Sequence, residues 1–176
     1  NVVLIKPGIP VAEYDVLNIS RSFLKEALGV IAEVWFYPLY ENLPLFGDVD
    51  ALMRQYKFEF FSFHLNLPGQ FFGRQSSPVH FDSIETYLDQ KRAGQIVTAD
   101  ALYYIDYLAT DIRYINPVEA IKLAVLAEIG GHIEYAFEVC QHLAVTLSIN
   151  QPEAATRIQS GCIQAANNYK MHGPKI

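Results

Sequence analysis

Two pairs of acidic and histidine side chains lie four residues apart in the second half of the sequence. Glu128 precedes His132, and Glu138 precedes His142. On a helix this spacing places each carboxylate beside its imidazole, and both groups are ligands in di-iron helical bundles. Those bundles instead space glutamate and histidine three residues apart, on two helices, and add glutamates from two more. The spacing therefore favours a solvated helix face, and we predict no metal site and no cofactor.

A second group of polar side chains belongs to a long loop predicted at residues 68–82, or to the strand before it. His64 lies on the polar side of the strand, Arg74 lies mid-loop, and His80 and Asp82 end it. Imidazole near a carboxylate can titrate close to neutrality, and long loops often carry function. These four residues are the candidate binding residues, and catalytic residues remain unassigned. In the alternative interpretation His64 faces solvent, His80 is a turn residue and Asp82 is a helix cap.

Aromatic residues supply the candidate contact surfaces. Three phenylalanines lie in the long loop, and loops normally run over the surface, so their rings must pack against something. A cluster of tyrosines follows a little further along the chain, and a tyrosine ring has an apolar body with a polar tip, which suits an interface. The interface candidates are Phe71, Phe72, Phe81, Tyr103, Tyr104 and Tyr107.

The elements that would position these residues are mostly helices. Pro117 to Ile129 is apolar nearly all round, which is typical of a helix buried in a core or an interface. Asn116-Pro117 starts it and Gly130-Gly131 ends it. Other helices are predicted over 11–35, 48–56, 82–92, from Thr98 onward, 132–147 and 150–168, and strands over 2–6 and 58–67.

This pattern predicts a mainly α fold, with five to seven helices around a buried central helix and a minor β element. The two strands, Val2–Lys6 and Phe58–Leu67, are expected to pair with each other. An α+β fold is the alternative. We expect a single helix-rich domain over residues 1–176, interrupted by the long aromatic loop at 68–82 and ending in a loose tail at 169–176.

Composition narrows the class of partner. Of the 176 residues, 51% are hydrophobic and 18% are charged, against about 25% charged in an average soluble domain. Residues 100–153 contain eight acidic and two basic residues. Because Lys and Arg are not clustered, binding to nucleic acid is not expected. No apolar run is long enough for a membrane span, and the first residues do not resemble a signal peptide, so we expect a soluble protein in the cytoplasm or another intracellular compartment.

These observations favour a non-enzymatic structural or assembly subunit, such as a coat, filament or complex component. It would bury aromatic surface against copies of itself or a protein partner. The alternative is a small-molecule-binding protein or enzyme with an aromatic-lined pocket, using His64 and the Arg74, His80 and Asp82 loop. A third possibility is an accessory subunit whose acidic half docks a basic partner. Whether Cys140 and Cys162 pair is left open.

Overall fold

The computed structural model describes residues 4–8, 12–38, 41–64, 71–72, 95–96, 98–109 and 116–172. Over these residues the chain forms six helices, a four-stranded mixed sheet and a two-stranded sheet. The fold is α+β, so the prediction of a mainly α fold with a minor β element is wrong. The chain divides into two compact units, Val2–Tyr103 and Tyr104–Ile176.

The first unit contains most of the sheet and three helices. The four-stranded sheet has the order β1-β2-β6-β3, and a short antiparallel pair, β4 and β5, is separate from it. The strands are β1 (Leu4–Ile5), β2 (Gly29–Trp35), β3 (Phe58–His64), β4 (Phe71–Phe72), β5 (Gln95–Ile96) and β6 (Thr98–Ile105). The helices are α1 (Glu13–Ile19), α2 (Arg21–Leu24) and α3 (Phe46–Gln55).

Two of these strands lie where helices were predicted. Gly29–Trp35 was assigned to the end of a long first helix, and Thr98–Ile105 to a helix beginning at Thr98. Short apolar runs fit a helix and a buried strand equally well by periodicity, and β-branched and aromatic residues favour the strand. In β2 the buried residues alternate at Val30, Ala32 and Val34. In β6 burial is continuous from Ala101 to Ile105, as in a strand covered on both faces.

The predicted strand pairing is also wrong. β1 pairs with β2 in parallel, with Leu4 opposite Gly29 and Ile5 opposite Val30. β2 and β6 lie between β1 and β3. The pairing could not be predicted because both intervening strands had been interpreted as helices.

The second unit consists of three helices that follow one another with short turns. They are α4 (Pro117–Ile129), α5 (Ile133–Leu147) and α6 (Pro152–His172). α5 packs against both α4 and α6. The predicted bounds of α4 and α5 agree with the structure, whereas α6 continues past its predicted end at Asn168.

The start of α4 follows directly from its sequence. The Asn116 side chain accepts hydrogen bonds from the backbone N–H groups of Val118 and Glu119, both at 3.0 Å. Glu119 in return accepts from the backbone N–H of Asn116 at 3.2 Å. This reciprocal cap, with Pro117 in the first turn, satisfies N–H groups that have no partner within the helix. At the other end Gly131 adopts a φ of 83°, a conformation that favours glycine and lets the chain turn into α5.

Candidate functional site

One face of α4 is apolar and exposed. Val118, Ile121, Val125 and Ile129 recur at intervals of three, four and four residues, which places them in one stripe along the helix. Val118 exposes 61% of its surface and Ile129 79%. The opposite face is buried through Ala120, Leu123 and Ala127. The prediction of a buried central helix is therefore corrected, because this face of α4 is exposed. We call these four residues the α4 stripe.

A groove lies beside this stripe, where α4, α5 and α6 come together. Its volume is about 590 Å³. Ile121 and Val125 of the α4 stripe form part of one wall, and among the described residues Glu128 is the only charged one in the lining. Most of the other lining residues are small, and their short side chains leave space between the helices. The remaining lining residues are Ala124, Ile133, Ala136, Phe137, Cys140, Ile158, Gly161, Cys162 and Ala165. We call this the α4–α6 groove.

Two cysteines line this groove. Cys140 on α5 and Cys162 on α6 are both free and partly exposed. Burial, together with the neighbouring Cys162, raises the pKa of the Cys140 thiol to about 11. Cys140 therefore remains protonated at neutral pH.

The histidines of the two acid–histidine pairs contact tyrosines. The Tyr104 hydroxyl lies 3.5 Å from Nδ1 of His132 and donates a hydrogen bond to the Leu126 carbonyl at 3.3 Å. The ring of Tyr107 meets the ring of His142 edge to face at 5.1 Å. Both imidazoles are thus held by aromatic contacts within their own unit. Among the described residues, no three His, Cys, Asp or Glu side chains are grouped so that they could hold a metal ion.

A separate polar cluster lies in the first unit, where α1, β2, β6 and the segment after β1 bring charged groups together. Glu13 of α1 is only 5% exposed, and its carboxylate accepts a hydrogen bond from the backbone N–H of Glu33 on β2. Glu33 in turn lies 3.4 Å from the Thr98 hydroxyl on β6. Beside them Lys6 forms a 2.9 Å ion pair with Asp100.

Burial controls the chemistry of this cluster. It raises the pKa of Glu13 to about 7, and the nearby Glu33 adds to that effect. Burial and the Asp100 carboxylate raise the pKa of Glu33 in the same direction. A carboxyl group with a pKa near 7 can exchange a proton at neutral pH. Glu13 is almost fully enclosed, and its oxygen accepts a hydrogen bond from the Glu33 backbone. We therefore expect its titration to change the stability of the fold with pH.

The residues predicted to bind a ligand are largely outside the described part of the chain. Arg74, His80 and Asp82, as well as the interface candidate Phe81, lie outside the described residues. The backbone of His64 ends β3. Their assignment as binding residues stays a prediction.

The other interface candidates have defined places. Phe71 and Phe72 form β4, with Phe71 opposite Ile96 and Phe72 opposite Gln95. Tyr103, Tyr104 and Tyr107 are buried within their own units. In the second unit the exposed apolar side chains include those of the α4 stripe, which the sequence interpretation had assigned to a buried helix.

The stripe and the groove were missed for different reasons. The spacing of the α4 stripe is visible in the sequence, but it is masked by further apolar residues on the buried side of the same helix. The groove depends on small residues of two other helices, and its shape appears only once α4, α5 and α6 are packed. The polar cluster around Glu13 joins residues that are far apart in the sequence, and two of them, Glu33 and Asp100, had been predicted to lie in helices.

No helix in the described ranges is both long and apolar enough to cross a lipid bilayer. Comparison with protein family models, with curated proteins and with solved structures found no match to this chain.

Proposed function

We propose that this protein is a non-enzymatic assembly subunit whose helical unit binds a second copy of the chain. The observation that carries the proposal is the α4 stripe, which is exposed and lies directly beside the α4–α6 groove. Contiguous exposed apolar surface of this kind is typical of interaction sites. A helix whose apolar side chains lie at intervals of three and four residues is also the usual ligand of an apolar groove.

The chemistry of the surface favours a second copy as the occupant. Glu128 is the one charged residue that the described part of the chain contributes to the groove lining, so the groove requires an apolar partner surface. The chain carries such a surface on α4, next to the groove itself. A two-fold contact uses the same patch on both subunits, so one stripe and one groove per chain are sufficient to close a dimer. Further exposed apolar residues, Val145 in the last turn of α5 and Ile149 just after it, offer additional surface for larger assemblies.

A second candidate function is binding of a small apolar molecule in the same groove. The volume of about 590 Å³ falls within the range of known ligand sites. The two candidates predict different behaviour on dilution. Self-association depends on protein concentration, whereas a monomer with an occupied groove keeps its mass and releases a small molecule on denaturation.

The experiment that tests self-association fills the groove without disturbing the core. A β-carbon added at Gly161 meets no atom within 4 Å, so Gly161→Leu fits, and leucine favours the helix by about 1 kcal/mol relative to glycine. We expect a folded chain whose self-association is weakened at least tenfold. Ser160→Leu adds the same side chain to the exposed side of α6 away from the groove and should associate like the wild type. Equal association of all three proteins would contradict the proposal.

A further inference from the structure

We propose that the α4–α6 groove and the cavity adjoining it bind one long-chain fatty acid, with the acyl chain along the groove and the carboxylate at Arg157. Binding of the acid gives the second candidate function a defined class of ligand and does not depend on self-association. Its effect on assembly rests on the proposed function, because a ligand in the groove excludes a second copy.

The adjoining cavity continues the groove towards the start of α6. Its volume is about 650 Å³. Ile121 of α4 and Ile158 of α6 line both spaces, so the two meet at these side chains. We call the two spaces together the α4–α6 trough.

The length of the trough suits an acyl chain. Along α6 its lining extends from Pro152 to Ala165, a distance of roughly 20 Å at the helical rise per residue. An acyl chain spans half of the hydrocarbon core of a bilayer and is therefore roughly 15 Å long. Such a chain can lie lengthwise in the trough and still leave room for its head group.

The two ends of the trough differ in character. The groove end is apolar apart from Glu128, which is exposed and can keep its carboxylate in water. At the other end Arg157 lines the cavity together with Glu153, one turn earlier on α6. An apolar length that ends at a cation matches a ligand with a hydrocarbon tail and an anionic head.

Arg157 is available to an anionic head group. Its side chain is exposed, and among the described residues no carboxylate, that of Glu153 included, forms an ion pair with it. A guanidinium group can donate two parallel hydrogen bonds to one carboxylate. The trough should therefore prefer a fatty acid to an uncharged lipid of the same length.

The acid and a second copy compete for the same surface. Ile121 and Val125 belong both to the α4 stripe and to the lining of the groove. An acyl chain that covers them removes the apolar surface on which self-association depends. Saturating fatty acid should therefore shift the assembly towards single chains.

The test of the head group compares dodecanoate with dodecanol by equilibrium dialysis, at a protein concentration where the chain is monomeric. The wild type should bind one dodecanoate per chain. Arg157→Gln should weaken binding of the acid by about tenfold and leave binding of the alcohol unchanged. Lys122→Gln removes a positive charge from an exposed position of α4 outside both linings and should bind the acid like the wild type.

The test of the acyl chain varies its length and fills the groove. Decanoate, two methylene groups shorter, should bind roughly tenfold more weakly than dodecanoate. Gly161→Leu places a side chain in the groove and should abolish binding of both the acid and the alcohol, whereas Ser160→Leu should bind them like the wild type.

Three results would overturn the fatty-acid site. They are a wild-type chain with no saturable binding of dodecanoate, an Arg157→Gln variant that loses acid and alcohol equally or neither, and a Gly161→Leu variant that binds as before. A chain that self-associates and binds no dodecanoate would contradict this site alone. A chain that binds dodecanoate and is monomeric at every concentration would support the site and contradict self-association.

Discussion

The hydroxyl group of Tyr104 occupies the space into which a β-carbon at Gly130 would project. Tyr104 is the second-last residue of β6, and Gly130 caps the end of α4, so the contact fixes the start of the helical unit against the turn between two of its helices. The hydroxyl also donates to the Leu126 carbonyl, one turn earlier in α4. Glycine at position 130 is therefore required by a close approach, while its φ of −75° is ordinary for any residue.

Gly130→Ala should consequently destabilise the protein. The added methyl group displaces the Tyr104 hydroxyl and its hydrogen bond, which we expect to lower the free energy of unfolding by about 1–3 kcal/mol. Chemical denaturation measures the change. Tyr104→Phe removes the obstructing oxygen, so Gly130→Ala in that background should cost much less than in the wild type. Additive effects of the two substitutions on the free energy of unfolding would show that positions 104 and 130 do not interact.

The neighbouring tyrosines should respond differently to loss of their hydroxyl groups. The Tyr103 hydroxyl is buried with no hydrogen-bond partner within the described residues, and burial raises its pKa. Tyr103→Phe removes an unsatisfied polar group and should be neutral or stabilising by up to about 1 kcal/mol. Tyr104→Phe should destabilise by about 1 kcal/mol, because it removes the hydrogen bond to Leu126. Equal losses of stability in Tyr103→Phe and Tyr104→Phe would contradict this prediction.

The carboxylate cluster predicts a pH dependence of stability. Because the pKa of Glu13 is raised from 4.5 to about 7, the folded protein holds this proton more tightly than the unfolded chain. Below pH 4.5 Glu13 is protonated in both states and carries no penalty. As pH rises from about 4.5 to 7 the unfolded chain ionises first, so the free energy of unfolding falls, by on the order of 2 kcal/mol.

Glu13→Gln should remove most of this fall. Its amide oxygen can still accept the hydrogen bond from the Glu33 backbone, and it carries no charge at any pH. The variant should therefore gain stability relative to the wild type between pH 5 and 8, measured by urea unfolding across that range. Glu41→Gln removes the same charge from an exposed position and should leave the pH dependence unchanged. Parallel curves for wild type and Glu13→Gln would contradict the buried carboxylate.

The α4 stripe predicts the position at which a charge blocks assembly. Val125 is 48% exposed and lies at the middle of the stripe, whereas Val145 is 66% exposed on a part of α5 outside the groove. Val125→Glu places a carboxylate in the proposed apolar contact and should weaken association at least 100-fold, or about 3 kcal/mol. Val145→Glu makes the same substitution at a comparably exposed site and should have little effect on the dimer. Sedimentation velocity measures the association of the Val125→Glu and Val145→Glu variants.

The second half of the fold could be predicted more fully than the first. The α4 cap and its terminating glycines specify their helix locally, and α5 shows a clear helical period, so both helices were predicted at their observed positions. In β2 and β6 the local apolar pattern fits both a helix and a strand. Which of the two forms depends on neighbouring strands that are distant in sequence. For the same reason the polar cluster around Glu13 could not be predicted, because its members come together only when β2 and β6 pair.

The groove could not be predicted because it is defined by small side chains. Gly161 and Ala165 are small residues of this lining, and the structure leaves open space beside Gly161. Cys140 and Cys162 lie on different helices, and their presence in one groove follows only from how α5 and α6 pack.

Mass in solution tests the central claim most directly. Light scattering on the reduced wild-type chain, diluted from high to submicromolar concentration, should give twice the chain mass of 19.9 kDa or a higher multiple at low micromolar concentration. On further dilution the mass should fall towards that of one chain, because a non-covalent assembly dissociates by mass action. A constant mass of a single chain across the whole series would contradict self-association through the α4 stripe.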